Sequence, residues 1–361
     1  MMNHINASAI NKILMIKSHS AGIGDLIRSS AAWAALSAQF PNAKLDLLFL
    51  TKNPGSASEA LIADHHLLNA VQFISTREHQ DSQTKGKLQN LANYKHSIEA
   101  FAKASNPDLI IDFEASGVRS SIAAVWSAKA ALAPSLGIRS FPLRSLFYDE
   151  VSCSPDEYAK LNKVQLPLNY VDRDFVVLTQ LGIHRRGRPI EMKVTDQGEA
   201  YQSKLKARLD SAQLVLGLNI GCGTPGAGHK RPDLFQLASC WAKLTADQPF
   251  VGLLTGAPDE SQLNEAFVAI YKTHFDANAQ WINLAGDCNI SEFTGLIASC
   301  DLFVSTDSGP YHMAVALKIP TLAWFVENNE EHFHYDAWCQ CLVNPDPDAF
   351  ARHSRRLLGL N

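Results

Sequence analysis

Residues 301–325 read "DLFVSTDSGPYHMAVALKIPTLAWF". An apolar run rich in β-forming residues enters the polar turn "STDSG". A helix is expected from about Pro310, because proline has the fixed backbone angle and missing donor that a first helical turn accepts. The segment closes on "PTLAWF", a second apolar strand. Strand, polar turn, helix and strand in direct succession indicate a parallel sheet covered by helices.

The same alternation extends outward in both directions. In the second half "LVLGLNIG" (214–221), "PFVGLLTG" (249–256) and "WINLAG" (281–286) read as strands that end in glycine. Glycine there lets the backbone approach a ligand closely. In the first half "KILMIKS", "KLDLLFL", "AVQFIS" and "DLIIDFE" read as strands, with a helix over 25–39 and a polar stretch over 76–92. From about 134 to 170 the regular pattern fails, as expected of a functional or mobile segment. "YVDRDFVVLTQLGI" then reads as an amphipathic helix, and "HRRGRPIEM" as a break. The fold class is therefore α/β, with one doubly wound domain over 1–187 and a second over 188–361. A terminal amphipathic helix near 346–358, basic on one face, is placed to pack back on the N-terminal domain.

A chain of 361 residues exceeds the usual single-core size and supports two domains. Its net charge of -4 supplies no global field for nucleic acid, so an anionic ligand must be held locally. Seven cysteines, mostly in apolar segments, suit reduced thiols better than a disulfide framework. Cys339 and Cys341 in "WCQCL" have no second pair nearby and read as buried thiols rather than zinc ligands. No secretory signal or membrane-spanning stretch is evident, and a cytoplasmic protein is expected.

Four segments carry candidate chemistry. In "NIGCGTPGAGHKRPDLF" (219–235) a strand runs into a glycine-rich loop containing Gly223, then Lys230, Arg231 and a helix start at Pro232. Loop amides, a helix N-terminus and two cations suit a diphosphate, although the Walker spacing is absent. In the 301–325 block Asp307 and Ser308 either cap the following helix or, with Gly309 and Pro310, frame an anion site. His312 lies one turn inside that helix. In "LLTGAPDESQ", after Gly256, Asp259 and Glu260 open a helix, and Glu260 is the candidate for ribose hydroxyls. In the first half "SHSAGIGDLIRSS" (18–30) puts Gly24 and Asp25 in a strand-to-helix turn, where a carboxylate would repel phosphate.

Together with "FPNAKLDLL", "DLIIDFEASGVRSS" and "INLAGDCNISEFTGLIASC", these segments resemble the bacterial heptosyltransferases of glycosyltransferase family nine over nearly the whole chain. The resemblance implies a GT-B fold: two Rossmann-like domains with parallel sheets facing across a cleft, donor in the C-terminal one and acceptor in the N-terminal one. It implies transfer with inversion, without metal or cofactor, of a sugar from a nucleotide-sugar donor, expected to be ADP-heptose. The acceptor is a saccharide or lipid-linked saccharide such as lipopolysaccharide inner core. Asp25 matches the family's general base, which accepts the acceptor proton. Lys230 matches the lysine that offsets charge on the departing diphosphate. The 307–310 turn, Glu260 and His312 match donor-site positions.

Two departures stand out: Arg28 replaces a histidine followed by a Thr-Leu-Pro run, and "KRP" lacks a tryptophan. Arg28, Arg119, Arg139 and Arg144 are acceptor-side candidates, because arginine suits phosphate. The clusters "HRRGR" and "HSRRLL" suggest peripheral contact with the inner membrane. Rival functions are a GT-B epimerase or hydrolase, and a silent nucleotide-sugar-binding protein. A dehydrogenase fits least, because "GIGDLI" lacks the third glycine of its fingerprint.

Overall fold

Strands buried on both faces need apolar residues at nearly every position, and the second strand, exposed at Lys44 and buried from Leu45 to Thr51, shows the pattern. The computed structural model describes residues 10–19, 22–51, 54–76, 87–140, 143–209, 213–222 and 226–360. The chain divides after Ile190 into two units.

The first unit runs β1 (Lys12–His19), α1 (Ile23–Ile27), α2 (Ser30–Gln39), β2 (Lys44–Thr51), α3 (Ala57–Ala63), β3 (Ala70–Ser75) and α4 (Lys87–Ser105). It continues with β4 (Leu109–Asp112), α5 (Val118–Ala131), β5 (Ser135–Ile138), β6 (Glu150–Ser152), α6 (Pro155–Asn162) and α7 (Tyr170–Leu178). The sheet order is β3-β2-β1-β4-β5-β6, every pairing parallel. Ile13 lies opposite Leu45 on one side and Leu109 on the other. One core gathers Leu14, Ile16, Leu48, Ile110, Ala123 and Tyr148.

The second unit runs α8 (Asp196–Lys206), β7 (Leu214–Asn219), α9 (Leu234–Thr245), β8 (Phe250–Thr255), α10 (Ser261–His274) and β9 (Gln280–Asn283). It ends with α11 (Ile290–Ile297), β10 (Leu302–Thr306), α12 (Gly309–Ala316), β11 (Thr321–Phe325), β12 (Cys339–Val343) and α13 (Pro347–Leu357). Its parallel order, β12-β11-β10-β7-β8-β9, follows the same scheme. In each sheet the winding reverses between the first and fourth strands, β1 and β4 or β7 and β10. The crevice beyond the carboxyl ends of such a pair is where doubly wound sheets bind ligands.

Several elements depart from expectation. The helix foreseen over 25–39 is broken at Arg28 and Ser29, where the Ser29 N–H turns to Leu26 O in a tighter turn. The stretch from 134 to 170 holds two strands, a 3-10 turn over Arg144–Phe147 and α6. Its order rests on short-range fits: a side chain at Gly137 would collide with the Tyr148 ring at 2.5 Å, and Ser154 with Glu157 forms a reciprocal cap on α6. Pro232 precedes α9, whose cap is Asp233, accepting from Gln236 N–H at 2.8 Å. Residues 77–86 of the polar stretch lie outside the described residues.

The terminal helix α13 uses its apolar side within its own unit: the Phe350 ring lies 6.1 Å from Trp241 and 6.0 Å from Trp324. No helix among the described residues is long and apolar enough to cross a membrane.

Candidate functional site

At the reversal point of the second sheet, polar side chains tie the strand ends together. Asn219, at the end of β7, donates to Gly221 O at 2.8 Å and accepts from the Thr255 hydroxyl of β8 at 3.1 Å. Thr306, at the end of β10, also donates to Gly221 O, at 2.8 Å. Ser308 begins α12, yet its hydroxyl does not cap that helix; it lies 3.2 Å from the Ser305 hydroxyl and accepts from Asn219 at 3.4 Å. These bonds hold rigid the turn that leads into α12 beside Pro310.

Asp307 likewise turns away from its helix. Lys230, from the 3-10 turn Ala227–Lys230, donates to its Oδ2 at 2.8 Å and reaches its backbone oxygen at 3.4 Å. His332 Nδ1 lies 2.9 Å from both carboxylate oxygens. Burial acts to raise the Asp307 pKa, but the His332 bond and charge, then Lys230, outweigh it and hold the carboxyl below its usual range. The Asp307 side chain makes no cap on α12; Lys230 and His332 hold it instead.

Glu260 is buried beside this turn. Its Oε2 accepts from Ala257 N–H at 2.9 Å, and Oε1 lies 3.8 Å from Arg231 Nη2. The strand-end glycines make room for it: a Cβ on Gly221 would sit 1.8 Å from Oε1, and one on Gly256, at φ 152°, 2.8 Å from Oε2. Lys230, Arg231, Glu260 and Asp307 thus converge on one sheet edge. Gly223 lies outside the described residues.

His312, expected at the donor, is buried in α12 with Nδ1 2.8 Å from His334 Nε2. It braces the helix against the segment after β11 and has little surface to offer a ligand. Cys339 and Cys341 sit on β12 as free thiols, and the Cys341 sulfur lies 3.1 Å from the Tyr311 hydroxyl. No set of three or more His, Cys, Asp or Glu side chains among the described residues is arranged to hold a metal. His332 and Asn219 escaped sequence reading. The one signal for His332 was the polar, histidine-bearing run "ENNEEHFHYD" after a glycine-free strand end.

In the first unit Asp25 stands in α1, just beyond β1. Arg28 pairs with its carboxylate, donates through Nε to Gly24 O at 3.0 Å, and lies 4.2 Å over the Tyr170 ring. Arg173 stacks on the same ring at 3.7 Å. Arg28 is buried, so its contact with Asp25 is part of how α1 packs onto α7.

The acceptor-side arginines divide. Arg119 is exposed near the start of α5, and Arg139 pairs with Glu157 at the surface. Arg144 is a correction: fully buried, it binds Asp112 at 3.1 Å, Gly117 O at 2.9 Å and Glu114 O. Its guanidinium serves the core, where it compensates Asp112, and presents no surface to an acceptor.

Glu114, at the end of β4, accepts from Ser18 N–H at 2.8 Å. Burial raises its pKa to about 7, only partly offset by Lys17, which is itself bound to Asp174 at 2.5 Å. A carboxyl raised on folding contributes stability below its unfolded pKa and loses it as pH rises through the folded value. Stability is expected to fall by roughly 3 kcal/mol from this group across that window. Glu114→Gln should flatten the decline between pH 5 and pH 8 in denaturant unfolding; an unchanged slope would reject the assignment.

Residues 238–344 match the sequence family described as Glycosyltransferase family 9 (heptosyltransferase). Lipopolysaccharide heptosyltransferase 3 of Escherichia coli is 22% identical over 335 residues, 89% of this chain and 85% of that protein. Among solved structures, the E. coli ADP-heptose lps heptosyltransferase II superposes with a TM-score of 0.66 at 19% identity, covering 96% of this chain and 98% of the other. The E. coli heptosyltransferase WaaC with ADP gives 0.64 at 17%, covering 96% and 99%. The two superpositions establish a shared GT-B architecture.

Proposed function

We propose that this chain, a member of the family 9 glycosyltransferases, transfers a heptose from ADP-heptose to a lipopolysaccharide inner-core acceptor, with inversion and without a metal. The observation that carries the reading is the charged edge between β7 and β10, where Lys230 is held on Asp307 beside Arg231 and Glu260. An ammonium and a guanidinium next to the start of α12 suit a diphosphate, and a buried carboxylate at the neighbouring strand end suits ribose hydroxyls. The related WaaC was solved with ADP.

In the proposed reaction the acceptor hydroxyl gives its proton to Asp25 while its oxygen bonds to the anomeric carbon. The bond from that carbon to the diphosphate oxygen breaks on the opposite face, and the electron pair leaves with the nucleoside diphosphate. Lys230, Arg231 and the backbone at Ser308 and Gly309 stabilise the charge that grows there. Asp307 orients Lys230 and reaches the sugar hydroxyls. Gly24 accepts from Arg28 beside Asp25, and the exposed Arg119 and Arg139 supply cations for acceptor phosphates.

The test is thermal unfolding with ADP, UDP, GDP and CDP in turn, each with and without EDTA. ADP at a hundred times its dissociation constant should stabilise by about 2.7 kcal/mol, with the other nucleotides weaker and EDTA without effect. Preference for another base would overturn the donor assignment, and loss of the shift with EDTA would overturn metal independence. Donor turnover to free sugar without glycoside formation would favour a hydrolase.

A further inference from the structure

We propose that His332 is a positioning residue of the donor site: it keeps hold of the Asp307 carboxylate when Lys230 turns to a nucleoside diphosphate, and it takes up a proton as the diphosphate binds. The proposal rests on the donor reading above and adds a residue and a linkage to it.

Two partners, a lysine and a histidine, share one carboxylate. Asp307 is 8% exposed, with Lys230 at 2.8 Å and His332 Nδ1 at 2.9 Å. The two partners are held differently. Lys230 reaches in on a flexible stem from a short turn, and its side chain is 32% exposed. His332 is fixed at its backbone, whose carbonyl accepts from the Tyr311 hydroxyl at 3.3 Å. Lysine is therefore the partner free to swing toward an incoming anion, and histidine the one that stays.

A carboxylate this buried is costly to leave uncompensated. In the neutral form the imidazole offers Asp307 a single N–H; protonation adds a full charge without breaking that bond. An arriving diphosphate places more negative charge beside Asp307 and draws Lys230 off it, and both changes favour the charged imidazole. The other ionisable groups around His332 do not reverse the sign. Glu330, whose carboxylate accepts from Asn328 at 3.2 Å, and Glu331 share its turn, while Tyr311 and the Cys341 thiol lie on the side of α12 and β12. Histidine is the side chain whose charge changes near neutral pH, which makes the linkage measurable under working conditions.

Calorimetric titration of the full chain with ADP, in two buffers of different ionisation enthalpy near pH 7, reads the protons exchanged. Wild type is expected to take up protons on binding. His332→Asn, which keeps an N–H near the Nδ1 position, should bind ADP within a few-fold of wild type yet lose the uptake. His332→Ala should bind about tenfold more weakly, with thermal unfolding confirming that both variants fold. No uptake by wild type, or equal uptake by His332→Asn, overturns the proposal whatever the alanine variant does. If wild type binds no nucleoside diphosphate at all, the donor reading itself fails.

Discussion

Asp25→Asn is expected to lower turnover by about a hundred- to ten-thousandfold, the usual contribution of a positioned general base, while leaving ADP-induced stabilisation intact. The substitution is nearly isosteric, and the amide oxygen still accepts from Arg28, so α1 keeps its contact with the side chain at Tyr170. What is lost is a carboxylate able to accept a proton, which the proposed mechanism takes from the acceptor hydroxyl. Steady-state rates measured with a lipopolysaccharide acceptor, alongside nucleotide melting shifts, separate the two effects. Wild-type turnover in the variant would remove Asp25 from the mechanism. A fall in both turnover and ADP stabilisation would point instead to a folding defect.

The second large effect concerns folding. Arg144→Met removes the cation that faces Asp112 in a site with no solvent exposure for either side chain. Asp112 also accepts from the Tyr148 hydroxyl at 2.5 Å and from Glu114 N–H at 2.9 Å, so its position is fixed and it cannot turn to water. Stranding a buried charge in this way costs about 3–5 kcal/mol. The midpoint of urea unfolding should drop accordingly, and adding Asp112→Asn should recover part of the loss, since the stranded charge goes with it. A midpoint within experimental error of wild type would show that water reaches the pair after all.

Arg144 also illustrates how far sequence could be read. It and Arg139 stand five positions apart in the same irregular stretch, and both read as acceptor-side candidates. Arg139 is exposed on Glu157, whereas Arg144 is buried on Asp112, Gly117 O and Glu114 O, 5.7 Å from the Tyr148 ring that Gly137 admits. The long parallel strands were legible from their apolar runs, since burial on both faces leaves few alternatives. β12 was not: "CQCLV" has mixed polarity, and its place comes from pairing with β11, as in Thr321 against Cys339.

The candidate site was legible as separate pieces. Lys230 and Asp307 each stood in a recognisable loop, but their contact spans 77 positions and depends on β7 and β10 being neighbours. His332 carried no motif at all. It reaches Asp307 because β11 lies next to β10 and delivers the following turn to the same edge.

The shared strand order of the two sheets has a consequence for how such a chain can diversify. Each half carries its own reversal point, β1 with β4 or β7 with β10, and each surrounds it with loops anchored in a separate core. On the proposed function, which puts the acceptor at the first point and the nucleotide at the second, substitutions in the turns after β1 and β4 would retune which molecule is glycosylated while the nucleotide-handling loops keep their geometry. The same device, present twice, would on that proposal make the two halves of specificity separately heritable.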